Sequence, residues 1–202
     1  MAAGAVPAPR RFFRNDFQQM VDAGLFAGER LELVDGVIIA MSPQNTPHAS
    51  TVNRLNYQLM KVCGPEVHLR VQSPVALDEY NQPEPDIALC APDPFDYGEH
   101  HPAPKSIFLI IEVADASLQQ DRRRKAEIYA RSGIPCYWLV VLVRRHIEVM
   151  TEPDSVTGRY QRVRTVKEGQ VLTLPHGQRI AVADVLPLKG RPVRVVRDKA
   201  RR

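Results

Sequence analysis

Residues 83–89 read Pro-Glu-Pro-Asp-Ile-Ala-Leu, and residues 107–113 read Ile-Phe-Leu-Ile-Ile-Glu-Val. The two prolines of the first stretch hold its backbone extended. Asp86 then opens an apolar strand. The second stretch is a continuous apolar run closed by Glu112. Such a run predicts a strand buried on both faces, which an α/β sheet provides. A carboxylate at the end of a buried strand costs several kcal/mol unless a cation or hydrogen bonds compensate it. If the two strands are neighbours, Asp86 and Glu112 converge on one hard cation, for which oxygen ligands suit Mg²⁺ or Mn²⁺ rather than zinc.

Working outward, the pattern alternates strands with helices. Asn15 or Asp16 is expected to cap a short helix carrying Phe17, Met20 and Val21. Residues 30–34 and 37–41 flank Asp35-Gly36, a hairpin turn signal. Thr46-Pro47 looks like a helix start, and Val52, Leu55, Leu59 and Val62 recur at helical spacing. Residues 67–71 and 75–77 read as short strands, and residues 91–105 as a polar, proline-rich loop. A charged helix spans 118–131 and a buried strand 137–143. Residues 147–150, 160–166 and 171–174 predict a terminal β meander. The expected fold class is α/β, with a mixed central β-sheet flanked by helices.

The chain has 202 residues, 44% of them hydrophobic, enough for one domain with extensions. We expect a loose arm at 1–11, a domain over 12–188 and a basic tail over 189–202. The tail carries seven cations against Asp198, a net +6, so the remainder of a chain of formal charge +4 carries −2. The basic balance thus belongs to the tail, and the near-neutral body gives no general case for nucleic-acid binding. The tail can touch phosphates or simply be solvated. Cys63, Cys90 and Cys136 form no CxxC pair, which argues against a cysteine zinc site or a disulfide framework. No apolar run reaches membrane-span length, and the expected location is the cytoplasm.

Lys125 stands on the helix after Glu112. An ammonium there can orient a water and balance charge on a phosphate. The same spacing fits a surface pair with Asp121, four residues earlier. Glu112 and Asp86 have comparable alternatives as a solvent-facing acid and a turn acid. His48 suits a helix-cap role or a place near the site. Gln72 can project from a strand toward the site or face water. Arg122 to Arg124 read as a solvated face or a phosphate-tracking edge, and Trp138 as core.

The segments RLELVDGVIIAMSP (30–43), His48, PEPDIAL (83–89), IIEV (110–113), Asp121, Lys125, Tyr129-Ala130 and GIPCYWLV (133–140) occur in this order. Together they resemble the Uma2 family of restriction endonucleases, also called DUF820, a branch of the PD-(D/E)xK nuclease superfamily. The resemblance runs from about residue 13 to 187. It implies a restriction-endonuclease-like fold and an acidic site for Mg²⁺ or Mn²⁺. Asp86 and Glu112 match the metal-binding acids, with the backbone carbonyl of Val113 as a further ligand. Lys125 matches a catalytic lysine shifted to the next helix, since Ala114 fills the usual superfamily position. Glu32 matches an N-terminal acid that ligates or positions.

The chain departs from the family at Asp115-Ala116, where Ser-Pro is common. It departs also at Cys136, where an acid often precedes Tyr-Trp, and at residues 141–143, which lack an acid. Asp115 adds charge near the metal position as an accessory ligand or an obstacle to phosphate. The implied activity is Mg²⁺-dependent hydrolysis of DNA phosphodiesters, with a homodimer as a way to cut two strands. The alternative is an inactive nuclease-fold module that binds nucleic acid or a protein partner.

Overall fold

In the computed structural model, a six-stranded mixed sheet carries the site. The structure describes residues 9–114 and 119–188, without the side chains of 119–122. The expectations for the tail at 189–202, for Asp115 and for most of the N-terminal arm lie outside the described residues.

The elements are α1 (Arg14–Asp22), β1 (Leu31–Val34), β2 (Val37–Ala40), α2 (Thr46–Val62), β3 (His68–Val71), β4 (Ile87–Cys90), β5 (Ile107–Ala114), α3 (Gln119–Arg131), β6 (Cys136–Val141), β7 (His146–Asp154), β8 (Arg159–Lys167), β9 (Val171–Thr173), β10 (Arg179–Ala181) and α4 (Val182–Val185). A single 3₁₀ turn at Pro104–Ser106 precedes β5. The sheet order is β3-β4-β5-β6-β7-β8. Among the described residues only β5 and β6 pair in parallel, and α3 makes the crossover between them. β4 and β5, the strands of the two opening stretches, are antiparallel neighbours.

Their apolar character follows from burial on both faces. One face packs Ile87, Leu89, Leu109, Ile111, Trp138 and Val140 against Val52, Leu55 and Leu59 of α2 and the C-terminal elements. The other packs Ala88, Cys90, Ile110, Tyr137 and Leu139 against Ile128, Tyr129 and Ala130 of α3. Strand alternation sends neighbouring side chains into opposite cores, so neither face needs polar residues. Trp138 is completely buried, as expected of a core residue.

The β1–β2 hairpin turns on Asp35 and Gly36, with φ of 50° and 74°. Both lie in the left-handed region that this turn requires. A Cβ on Gly36 would meet the Arg11 Cβ at 2.8 Å and the Phe12 carbonyl oxygen at 3.1 Å. Gly36→Ala is therefore expected to lower stability by about 1–3 kcal/mol. A urea unfolding midpoint within error of wild type would contradict this. The end of the arm is pinned here too: the Phe12 N–H donates to the Gly36 carbonyl, and the Arg11 guanidinium stacks on Tyr80 at 4.1 Å.

Several expectations need correction. Residues 75–77 are not a strand; Val75, Ala76 and Leu77 donate to the carbonyls of Pro83, Pro102 and Asn81, loop to loop. The α1 N-cap is Phe13, without a side-chain cap, rather than Asn15 or Asp16. Asn45 rather than Thr46 caps α2, accepting the His48 N–H at 3.0 Å. The meander consists of β6, β7 and β8, while β9 pairs instead with β10 in a separate hairpin.

Candidate active site

The site begins at the junction of β4 and β5. Asp86 sits one residue before β4 and is 8% exposed. Its Oδ2 accepts the buried Val113 N–H at 2.8 Å. That bond fixes the carboxylate across the end of β5. Gln72 approaches from the end of β3: its side-chain amide reaches Asp86 Oδ1 at 3.4 Å, and its N–H donates to the Asp86 carbonyl at 3.0 Å. Gln72 thus projects toward the site rather than into water. Its backbone has a φ of 46°, in the left-handed region.

Strand alternation places Glu112 on the α3 side of the sheet, opposite its neighbours Ile111 and Val113. One turn apart on α3, Lys125 and Tyr129 face it together. The Tyr129 hydroxyl donates to Glu112 Oε1 at 2.8 Å, and Lys125 Nζ to the same oxygen at 3.2 Å. Lys125 also bridges to Glu32 Oε2 at 3.0 Å. Glu32 comes from β1 and accepts the Glu84 N–H at 3.2 Å. Lys125 therefore points into the site rather than outward as a surface charge.

His48, in the first turn of α2, completes the cluster. Its Nε2 lies 3.0 Å from Asp86 Oδ2, the oxygen that also accepts the Val113 N–H. These groups line a cleft of about 310 Å³ between the hairpin, the loop at 42–45, α3 and the sheet. Asp86, Glu112, Lys125, Glu32, His48 and Val113 all reach it.

Four carboxylates, Glu32, Glu84, Asp86 and Glu112, line this cleft; Arg30 pairs with Glu84, which leaves the other three grouped around Lys125 and His48. Burial pushes Glu112 up to about 7; Asp86 and Glu32 add to the rise, and Lys125 opposes it. Burial works against a charged Lys125, but Glu112 and Glu32 outweigh it and hold the ammonium above the ordinary lysine value. Burial likewise disfavours a charged His48, yet Asp86 and Glu112 raise it overall.

The raised Glu112 gives a stability prediction of definite sign. Between pH 4.5 and about 7 the folded chain binds a proton that the unfolded chain has released. Stability from this group is thus fully present at the acid end and is lost as pH rises through about 7. In a chelating buffer, Glu112→Gln should flatten this part of the unfolding profile. An unchanged slope would show that another group carries it.

The donor set suits a hard divalent cation. It supplies carboxylate and carbonyl oxygens, with Lys125 engaged by Glu32 and Glu112. Among the described residues no three His, Cys, Asp or Glu side chains stand close enough to hold a metal alone. A cation here would take Asp86 and Glu112 with the Val113 carbonyl and water, a set typical of Mg²⁺ sites with one or two carboxylates.

Some partners are not apparent from sequence. Arg30 and Glu84 form an ion pair at the cleft wall, joining the start of the hairpin to the Pro-Glu-Pro segment. Arg124 corrects the view of the arginine run as a solvated face. Its guanidinium bonds Asp35 at 2.9 Å and the Val34 carbonyl at 3.3 Å, tying α3 to the hairpin. The polar role of Tyr129 was detectable, because it lies four residues past Lys125 and so on the same helix face.

No curated protein matches the chain. Among solved structures it is similar to "a putative nuclease belonging to DUF820" from Anabaena variabilis, with a TM-score of 0.64 at 14% identity. That match covers 88% of this chain and 97% of the other. At this identity the likeness concerns the fold, and it agrees with the mixed sheet and flanking helices. The sequence profile of the Uma2 family, described as "Putative restriction endonuclease", matches residues 14–186, which span every element of the cleft. By that match, the chain belongs to the Uma2 family.

Proposed function

We propose that the cleft is the active site of a Mg²⁺- or Mn²⁺-dependent nuclease that hydrolyses DNA phosphodiester bonds. The observation that carries this reading is the meeting of Asp86, Glu112 and Lys125 in one cleft, with Lys125 Nζ 3.2 Å from Glu112 and directed away from solvent. Asp86, Glu112 and the Val113 carbonyl would hold the cation. When bound, it would polarise a phosphate oxygen and lower the pKa of a water.

The chain's own residues do the rest. Lys125 stays protonated beside Glu112 and Glu32, so it serves as a fixed positive charge rather than a base. It orients the attacking water and balances charge accumulating on the phosphate. A P–O bond forms to that water, which gives up a proton to solvent, as the ester P–O bond breaks and the leaving oxygen takes up a proton from solvent. Tyr129 and Glu32 hold the lysine–glutamate pair in place from two sides. With one such cleft among the described residues, cutting both strands would use two copies or two binding events.

Conversion of supercoiled plasmid to nicked circles tests this reading. Nicking should appear with Mg²⁺ or Mn²⁺ and vanish with a chelator. Metal-independent nicking would count against it. So would a complete lack of turnover by folded wild-type protein, which would favour the inactive binding module.

A further inference from the structure

The reading above leaves His48 without a task. The histidine is placed with precision. It follows the Asn45 cap, which accepts its N–H at 3.0 Å, and so is anchored in the first turn of the 17-residue α2. Its side chain is 17% exposed, on the floor of the cleft. Its Nε2 faces Asp86 Oδ2 at 3.0 Å, the oxygen that also accepts the N–H of Val113, the residue whose carbonyl is an expected ligand. Nδ1 is buried without a hydrogen-bond partner among the described residues. The ring is therefore oriented from its Nε2 side alone.

This spacing bears on cation binding. Two ligand atoms about 2.1 Å from one ion, at right angles, lie about 3.0 Å apart. The Nε2–Oδ2 separation of 3.0 Å matches that value. A contact that is a hydrogen bond without the ion is thus also a workable spacing for two ligands of one ion. Glu112, meanwhile, gives Oε1 to Tyr129 and Lys125.

Resting on the proposed cation-dependent site, we infer that His48 Nε2 is a direct ligand of the cleft cation, beside Asp86 and the Val113 carbonyl, and that it makes the site select Mn²⁺ over Mg²⁺. Mg²⁺ takes oxygen ligands almost exclusively, whereas first-row transition ions accept imidazole nitrogen. Glu112 is then the outer acid of the set, reached directly or through water. A simple helix-cap role for the side chain is not needed, because Asn45 already performs it.

Mn²⁺ and Mg²⁺ titrations of the full chain, together with pulsed electron paramagnetic resonance of bound Mn²⁺, test the assignment. Wild type, His48→Ala, His48→Gln and Asp86→Asn are compared, each checked for folding by thermal melting. The wild-type Mn²⁺ spectrum should show nitrogen modulation, and this result needs no variant. Both His48 substitutions should remove the modulation and weaken Mn²⁺ binding roughly 10- to 100-fold, with a much smaller change for Mg²⁺. Wild-type Mn²⁺ without nitrogen coupling would overturn the assignment. Unchanged or tighter Mn²⁺ binding in the His48 variants would do the same, because the ring would then be a bystander or a competitor. If Asp86→Asn alone loses the ion, the ligand role of His48 fails while the metal site stands. If wild type binds neither ion, both fall.

Discussion

Lys125→Met is expected to destabilise the fold by about 3–5 kcal/mol and to slow DNA cleavage by about 10²- to 10³-fold. Both effects have one cause. Lys125 is the ammonium between Glu32, at 3.0 Å, and Glu112, at 3.2 Å. Methionine fills a similar volume and leaves those two carboxylates buried without their counter-charge. The cost is that of stranded ions rather than of a lost contact. Adding Glu32→Gln removes one of the two stranded acids, so the double variant should recover part of the stability and none of the activity. Urea unfolding of the single and double variants checks the first half. If Lys125→Met unfolds with the wild-type midpoint, the lysine is not the buried counter-ion described here.

Asp86→Asn should separate chemistry from folding. Asparagine keeps an oxygen to accept the Val113 N–H, now bonded at 2.8 Å, and keeps the side-chain volume. The thermal midpoint should therefore move little. The charge that holds a cation is gone, however, and cleavage should fall by about 10²- to 10³-fold. Divalent cations should also stabilise wild type and no longer stabilise the variant, since an ion that binds only the folded state raises its stability by mass action. A variant that melts far below wild type would mean that Asp86 is mainly a structural cap.

The parts of this account that were legible in the sequence are those set by local pattern. The apolar runs before Glu112 and after Asp86 carry their own evidence of double-sided burial, and β4 and β5 are indeed adjacent. Asp35-Gly36 demanded a tight hairpin, which is present. Lys125 was different. Its spacing from Asp121 suited a surface pair, and only the packing of α3 against β1 and β5 turns it toward Glu32 and Glu112. The same holds for Arg30 and Glu84, which lie 54 residues apart in the chain and meet only through the placement of the hairpin. Val75 to Leu77 misled because they are buried, and burial of an apolar triplet does not require a strand. Their N–H groups are satisfied by loop carbonyls instead. β10 was not read from the sequence, although its partner β9, of the same length, was.

The most direct measurement is the rate at which supercoiled plasmid is nicked in Mn²⁺ by folded wild type and by folded Asp86→Asn, side by side. The account predicts chelator-sensitive nicking by wild type, slower by about 10²- to 10³-fold in the variant. Equal rates for the two proteins, or nicking by wild type that persists in the chelator, would contradict a cation-dependent nuclease site at Asp86, Glu112 and Lys125.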